Sequence, residues 1–495
     1  MRLALFFFLG VSLLPAQSVR SWRQQNEFRI LQEFAPFIAI PNVSSDLPNI
    51  RRNADAIVAM FEKRGVKMQK LTLNDYAPIV FGEISTPGAT RTINFYAHYD
   101  GMPVTPSEWA SKQPFAPELR TNTIAQGGQV IPLEQKTYNP EWRIFGRASS
   151  DDKAPIQAMA SALDAIQSLG LKHKSNIRFF FEGEEEAGST HLTEYLQKYK
   201  ELVKGDLWLI CDGPVHQNRQ QSVVFGVRGS SSLEITVYGP KRELHSGHYG
   251  GWAPNPATRL ARLIASFSDG EGHILVKDFY KGVIPFNAAE LAAIERIPKV
   301  EDSLQEELGL HELEGDGRRL FATYGNPTLN IRGLRSAETG PAASNVVPAQ
   351  AIAAIDIRLV KGLDGKTQAD RVKAHIAAQG YLVLDREPTD AERRKHAKIA
   401  KVTSRPGYNA ARTQLDLPIA QEVVKAVESA AGPVVQIPSH GGSVPLAMFE
   451  QVTGMPMILV PIVNHDNNQH SFDENLRLAN LWQGIEVMAA LLTKL

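Results

Sequence analysis

The sequence predicts an α/β protein: a domain with a mostly parallel sheet flanked by helices, interrupted by an inserted α+β domain. Three observations lead there. Four short apolar runs, at 93–97, 177–181, 207–211 and 457–463, read as buried strands. Between the first two, Pro155 opens a stretch with Ile156, Met159, Leu163, Ile166 and Leu169 at helical spacing, closed by Gly170. Strand, helix, strand implies a right-handed parallel crossover. After Asp212 the pattern changes to strict alternation at Leu233, Ile235 and Val237, followed by a helix that Asn255-Pro256 starts, with Leu260, Leu263, Ile264 and Phe267 on one face.

These signals divide the chain. Residues 1–17 have a positive start at Arg2, an apolar core at 3–14 and small residues around Ala16, so they are expected to be an export signal and the mature protein periplasmic or secreted. Residues 18–225 and 397–495 are expected to form the two parts of the sheet domain. Residues 226–396 are expected to form the insertion, with 278–319 an extra helical elaboration and the charged stretch 386–401 a solvated face near the return. Leu481, Ile485, Met488 and Leu492 form a closing helix.

Composition narrows the partners. The 53 basic and 53 acidic side chains balance, which argues against a polyanion such as nucleic acid. Beyond the leader no segment approaches the roughly 18 apolar residues of a membrane-spanning helix. The single cysteine, Cys211, permits no internal disulfide, so stability must come from the core of a chain of 495 residues that is 43% apolar.

The chemistry concentrates at the ends of the apolar runs. The second run leads into Glu182-Gly183-Glu184-Glu185-Glu186-Ala187-Gly188-Ser189. Adjacent carboxylates at the mouth of a buried strand raise one another's pKa unless a cation holds them. A solvated acidic turn is the plainer reading of such a run taken alone. However, the first run ends at His98-Tyr99-Asp100, the third at Asp212, and the fourth leads to His465 and His470. Four strands that deliver His or carboxylate at their C-terminal ends match where open α/β sheets place their sites.

His98, Asp151, Glu186, Asp212 and His470 make a nitrogen and oxygen ligand set suited to zinc, cobalt or manganese. Five ligands exceed what one catalytic zinc with an open position takes, and suit two ions sharing a bridging carboxylate. Asp151 is the natural bridge and Asp152 the competing one, which spacing does not separate. Asp100, two residues beyond His98 on the same side of an extended chain, can orient that imidazole.

The order of these motifs resembles the dinuclear zinc peptidases that include carnosinase, carboxypeptidase G and aminoacylase, and most of all the carnosinase-like dipeptidases. The resemblance rests on His98-Tyr99-Asp100 with Trp109, Pro114-Phe115 and Pro117; Gly146-Arg147 with Asp151-Asp152-Lys153; the acidic run; Asp212; Leu244-His245-Ser246-Gly247; Gly441-Gly442-Ser443-Val444-Pro445; and His470-Ser471.

The resemblance implies two Zn2+ per subunit, with Co2+ or Mn2+ as substitutes, and hydrolysis of dipeptides or short peptides by a metal-bridging hydroxide. Asp151 would bridge, His98 and His470 would each hold one ion, and Glu186 and Asp212 would complete the shells. Glu185 would be the general base. His245 would stabilise the oxyanion, entering from the partner of a homodimer formed through the insertion, which becomes a lid. Asn345, Arg358, Gly442 and Ser443 would hold the substrate, with Arg358 on its carboxylate. An N-acyl-amino-acid amidohydrolase needs the same metals and base and is the alternative. A binding protein without catalysis would have no use for Glu185.

Overall fold

The three phenylalanines at 179–181 lie in the strand Asn176–Glu182, which is buried on both faces. This is a computed structural model, and it describes residues 18–315, 318–442, 444 and 446–495. Phe179 and Phe181 pack against Phe61 on one face, while Phe180 meets Trp208 and Phe449 on the other. Burying each ring contributes roughly 1.5–3 kcal/mol, so a strand covered on both sides has no use for polar alternation.

That strand belongs to an eight-stranded sheet. Its order is Lys67–Leu71, Ile79–Ile84, Asn176–Glu182, Thr92–His98, Leu207–Ile210, Met457–Leu459, Ser222–Val224 and Val435–Ile437. The four central strands, from Asn176–Glu182 to Met457–Leu459, run parallel. They are the four apolar runs of the sequence, and their C-terminal ends share one edge of the sheet. Helices Val19–Ile38, Lys153–Ser168 and Leu478–Lys494 cover one face. Leu192–Lys198 and Leu446–Thr453 cover the other. Cys211 is a buried thiol in the first of these cores.

The insertion contains a five-stranded sheet ordered Thr328–Arg335, Gln350–Leu359, Gly229–Tyr238, Ile399–Pro406, Leu382–Leu384. Pro256–Ala265 and Gly365–Ala378 pack their apolar faces on it through Leu260, Leu263, Val372 and Ile376. Because Ile399–Pro406 pairs with Gly229–Tyr238, this sheet continues past the expected return at 396. The helix Ala288–Arg296 also departs from expectation. It turns Ala293 and Ile294 into the cores of the eight-stranded sheet, beside Val435–Ile437.

A small antiparallel sheet, ordered Asn475–Arg477, Arg143–Phe145, Glu118–Arg120, Val130–Ile131, completes the scaffold. Of its first two strands, Arg143–Phe145 leads into the loop that carries Asp151 and Asn475–Arg477 follows the loop that carries His470. Among the described residues no helix is long and apolar enough to cross a membrane. The expected leader at 1–17 lies outside the described residues.

Candidate active site and metal centre

At the shared carboxyl edge the structure brings together all five expected ligands. Nε2 of His98 lies 3.0 Å from Oδ1 of Asp151, and Nε2 of His470 lies 3.2 Å from Oδ2 of the same carboxylate. His470 is also 3.3 Å from Glu186. Two clusters of converging ligand atoms result: Asp151, Glu186 and His470, and His98, Asp152 and Asp212. Asp152 thus stands close to the centre as well. One of its oxygens accepts the His98 backbone N–H at 3.2 Å, and the other is buried without a partner.

Each ligand is placed by its backbone. His98 ends its strand, and Asp212 follows Leu207–Ile210 directly after Cys211. The acidic run turns through a short 3-10 segment, Glu185–Ala187, closed by Gly188 at φ 87°. Gly183 has to be glycine, because a Cβ there would come within 2.5 Å of the Tyr99 hydroxyl. His470 itself sits at φ 60°, a left-handed conformation that costs an ordinary residue about 1 kcal/mol or more and persists only where surroundings hold it.

Asp100 does more than the spacing suggested. It is fully buried, 3.4 Å from Nδ1 of His98, and its carboxylate also accepts the backbone N–H groups of Glu185 and Glu186 at 3.1 and 3.0 Å. Glu182 accepts the Tyr96 hydroxyl at 2.7 Å beneath the turn, and Glu184 lies 2.8 Å from Nδ1 of His191.

The electrostatics show what the cluster lacks. Burial, then the charge of Asp151, pushes Glu186 up to about 8 and Asp212 up to about 6. Burial also raises Asp152 and Glu185, with Asp212 adding to both. Against burial, hydrogen bonds to His470 and His98 hold Asp151 well below the usual carboxylate range. Its hydrogen bond to Asp151 lifts His470 to about 9. Burial opposes charge on His98, yet Asp100 and Asp151 raise it. Several buried carboxylates with two imidazoles to balance them, and an orphaned oxygen among them, fit a cation of charge greater than one.

A cleft of about 320 Å³ opens over this centre. Asp151, Glu185, Asp212 and His470 line its polar end; Val224, Val227, Val444 and Leu459 supply apolar wall. Arg358 and Gly442 line it too, so two expected substrate residues face the same space as Glu185. Arg358 also bonds Asp356 at 2.9 Å. The cleft does not include Asn345 or His245 among its lining residues. His245 is exposed, at the pairing of Leu244–His245 with Val346–Val347, and Asn345 accepts the Ser246 N–H through its carbonyl. Ser443 lies outside the described residues.

His440 and Gln469 line the cleft and were not singled out from the sequence, although each adjoins a residue that was. Glu474 was also missed. It accepts the backbone N–H of Asp151 at 2.9 Å.

Known proteins resemble the chain along most of its length. It is 28% identical over 467 residues to the Cys-Gly metallodipeptidase dug1 of Schizosaccharomyces pombe, covering 91% of this chain and 92% of that one. It is 25% identical to the Beta-Ala-His dipeptidase of Homo sapiens, over 83% of this chain and 76% of the relative. The fold matches an M20 family metallo-carboxypeptidase from Sulfolobus solfataricus with a TM-score of 0.76 at 24% identity, across 94% of this chain and 98% of that one.

The comparisons correct one expectation. Similarity to Cys-Gly metallodipeptidases across nearly the whole length gives export no support, and the periplasmic or secreted location expected from residues 3–14 is withdrawn.

Residues 94–494 match the model of Peptidase family M20/M25/M40, and with the ligand cluster, fold and relatives in agreement, the chain belongs to that family and is a metallopeptidase, a hydrolase.

Proposed function

We propose that the chain is a dinuclear zinc exopeptidase that hydrolyses dipeptides or short peptides. The observation that carries this reading is the carboxylate of Asp151, whose two oxygens each face a different imidazole, in a cleft that also holds Glu185 and Arg358. His98, Asp151 and Asp212 would hold one ion, and Asp151, Glu186 and His470 the other. Asp152 is the less suited bridge, because one of its oxygens is taken by the His98 backbone. When bound, such ions lower the pKa of water and polarise a carbonyl.

The protein's own groups supply the rest. Glu185, raised by burial and by its acidic neighbours, is a base able to take a proton from the attacking water and return it to the leaving amine. Arg358 offers a planar guanidinium to the substrate's terminal carboxylate. Gly442 leaves room for a substrate backbone, and the valines and Leu459 accept an uncharged side chain. His245, exposed and outside the cleft of its own chain, would reach the oxyanion from the partner of a homodimer, with Asn345 beside it at the start of the paired strand. Relatives named as Cys-Gly and Beta-Ala-His dipeptidases support a short peptide substrate.

The test is metal analysis of the purified protein combined with a panel of dipeptides and N-acyl amino acids. Two zinc ions per chain and release of free amino acids from dipeptides are expected. Hydrolysis of the acyl amino acids alone would replace the peptidase reading with an amidohydrolase acting through the same residues.

A further inference from the structure

Glu474 is completely enclosed, and both its oxygens are saturated by donors from a single loop. Oε1 accepts the Ser150 N–H at 3.0 Å, the Ser150 hydroxyl at 2.8 Å and the Asp151 N–H at 2.9 Å. Oε2 accepts Nη1 of Arg147 at 2.8 Å and the Ala148 N–H at 2.9 Å. The backbone carbonyl of Glu474 takes the Gly146 N–H at 3.0 Å. Arg147 then reaches back across the gap, where its Nη2 donates to the carbonyl of Ser471 at 2.8 Å.

The pair therefore ties two loops together at the point where one presents Asp151 and the other His470. Both loops need tying. Ala148 at φ 59° and His470 at φ 60° hold left-handed conformations without glycine's freedom. A side chain that accepts the Ala148 and Asp151 N–H groups at once leaves that loop little choice of path. Nor is a buried carboxylate a cheap way to staple a surface loop. Burying the charge costs several kcal/mol unless every lone pair is used, and here five donors use them.

We propose that Glu474, with Arg147, is a positioning residue for the metal centre: it sets the placement of the Asp151 carboxylate relative to His470, and so the spacing of the two ion sites. This rests on the reading of Asp151 and His470 as ligands. All five partners of Glu474 are donors, so the amide of glutamine would turn one of its own N–H groups against them while keeping the same shape.

The probe is Co2+, titrated into full-length protein stripped of metal and followed by calorimetry and visible absorption. Glu474→Gln is expected to weaken binding by about 10–100-fold, the usual scale for losing an outer partner of a ligand, and to alter the Co2+ absorption spectrum. Glu33→Gln is the control. It breaks a partly buried ion pair with Arg64, beside Gln157 of helix Lys153–Ser168, and should lose thermal stability while keeping wild-type Co2+ binding. Wild-type affinity and spectrum in Glu474→Gln, or equal loss in Glu33→Gln, overturns the proposal. If Glu474→Gln does not fold, Arg147→Gln, which removes the bonds to Glu474 and to the Ser471 carbonyl, is read instead; weaker Co2+ binding supports the proposal and unchanged binding overturns it. Unchanged Co2+ binding in His470→Ala would instead remove the ligand assignment beneath it.

Discussion

Oδ1 of Asp100 accepts the backbone N–H of Glu185 at 3.1 Å, so the residue expected only to orient His98 also anchors the acidic turn. Its other oxygen holds the Glu186 N–H at 3.0 Å. Asp100→Asn puts an amide donor against one of these N–H groups and loosens the base, one ligand and the His98 imidazole together. A fall in kcat of about 10–100-fold is expected, with KM changed much less, as steady-state kinetics would read. An unchanged kcat would make the tie dispensable.

Glu185→Gln separates chemistry from assembly. The glutamine keeps the volume and removes a charge that burial, Asp212 and Glu186 already disfavour. The variant is therefore expected to fold with undiminished thermal stability and to retain its metal, while turnover drops by about 100–10,000-fold. Metal content and kcat measured on the same preparation check both halves. Activity within a factor of two of wild type would remove Glu185 as the base.

What was legible in the sequence follows from how parallel strands are buried. His98, Asp212 and the acidic run were found because central strands are apolar throughout and end at one edge, so a polar residue there stands out. Glu474 gave no such signal. Its partners, residues 147–151, lie more than 300 positions away, and the loops meet only because Asn475–Arg477 pairs with Arg143–Phe145. The insertion's return was misplaced because Ile399–Pro406 alternates Ala400 and Val402 with charged and hydroxyl residues, and reads as a solvated stretch. For Ala288–Arg296, periodicity shows that Ala293 and Ile294 are buried but not against which sheet.

Metal loading should release protons. Without a cation, His470 is raised to about 9 by its bond to Asp151 and Glu186 to about 8 by burial, so at pH 7 both carry protons that a metal must displace. Asp212, at about 6, is already largely ionised there. Affinity for Zn2+ is thus expected to rise with pH through 7 to 9 and to level off above that. Calorimetric titration at pH 7 in two buffers of different ionisation enthalpy would show net proton release, from His470 and Glu186 and from His98, whose charge Asp100 and Asp151 favour against burial. Buffer-independent heats would contradict the protonated centre.

His245 provides the sharpest test of assembly. Its Nδ1 accepts the Gly247 N–H at 3.0 Å and its ring lies 4.7 Å from that of His248, on an exposed turn outside the cleft lined by Glu185. A histidine that acts in its own chain would have to leave this turn, whereas one that acts in a partner's cleft is already presented to solvent. His245→Ala and Glu185→Gln should each be inactive alone. Mixed subunits place one intact His245 opposite one intact Glu185, so heterodimers isolated with two different tags should recover up to about half the activity per cleft pair, since one of two sites is complete. Inactive heterodimers would place His245 in its own chain's site, and an active His245→Ala homodimer would place it outside the reaction.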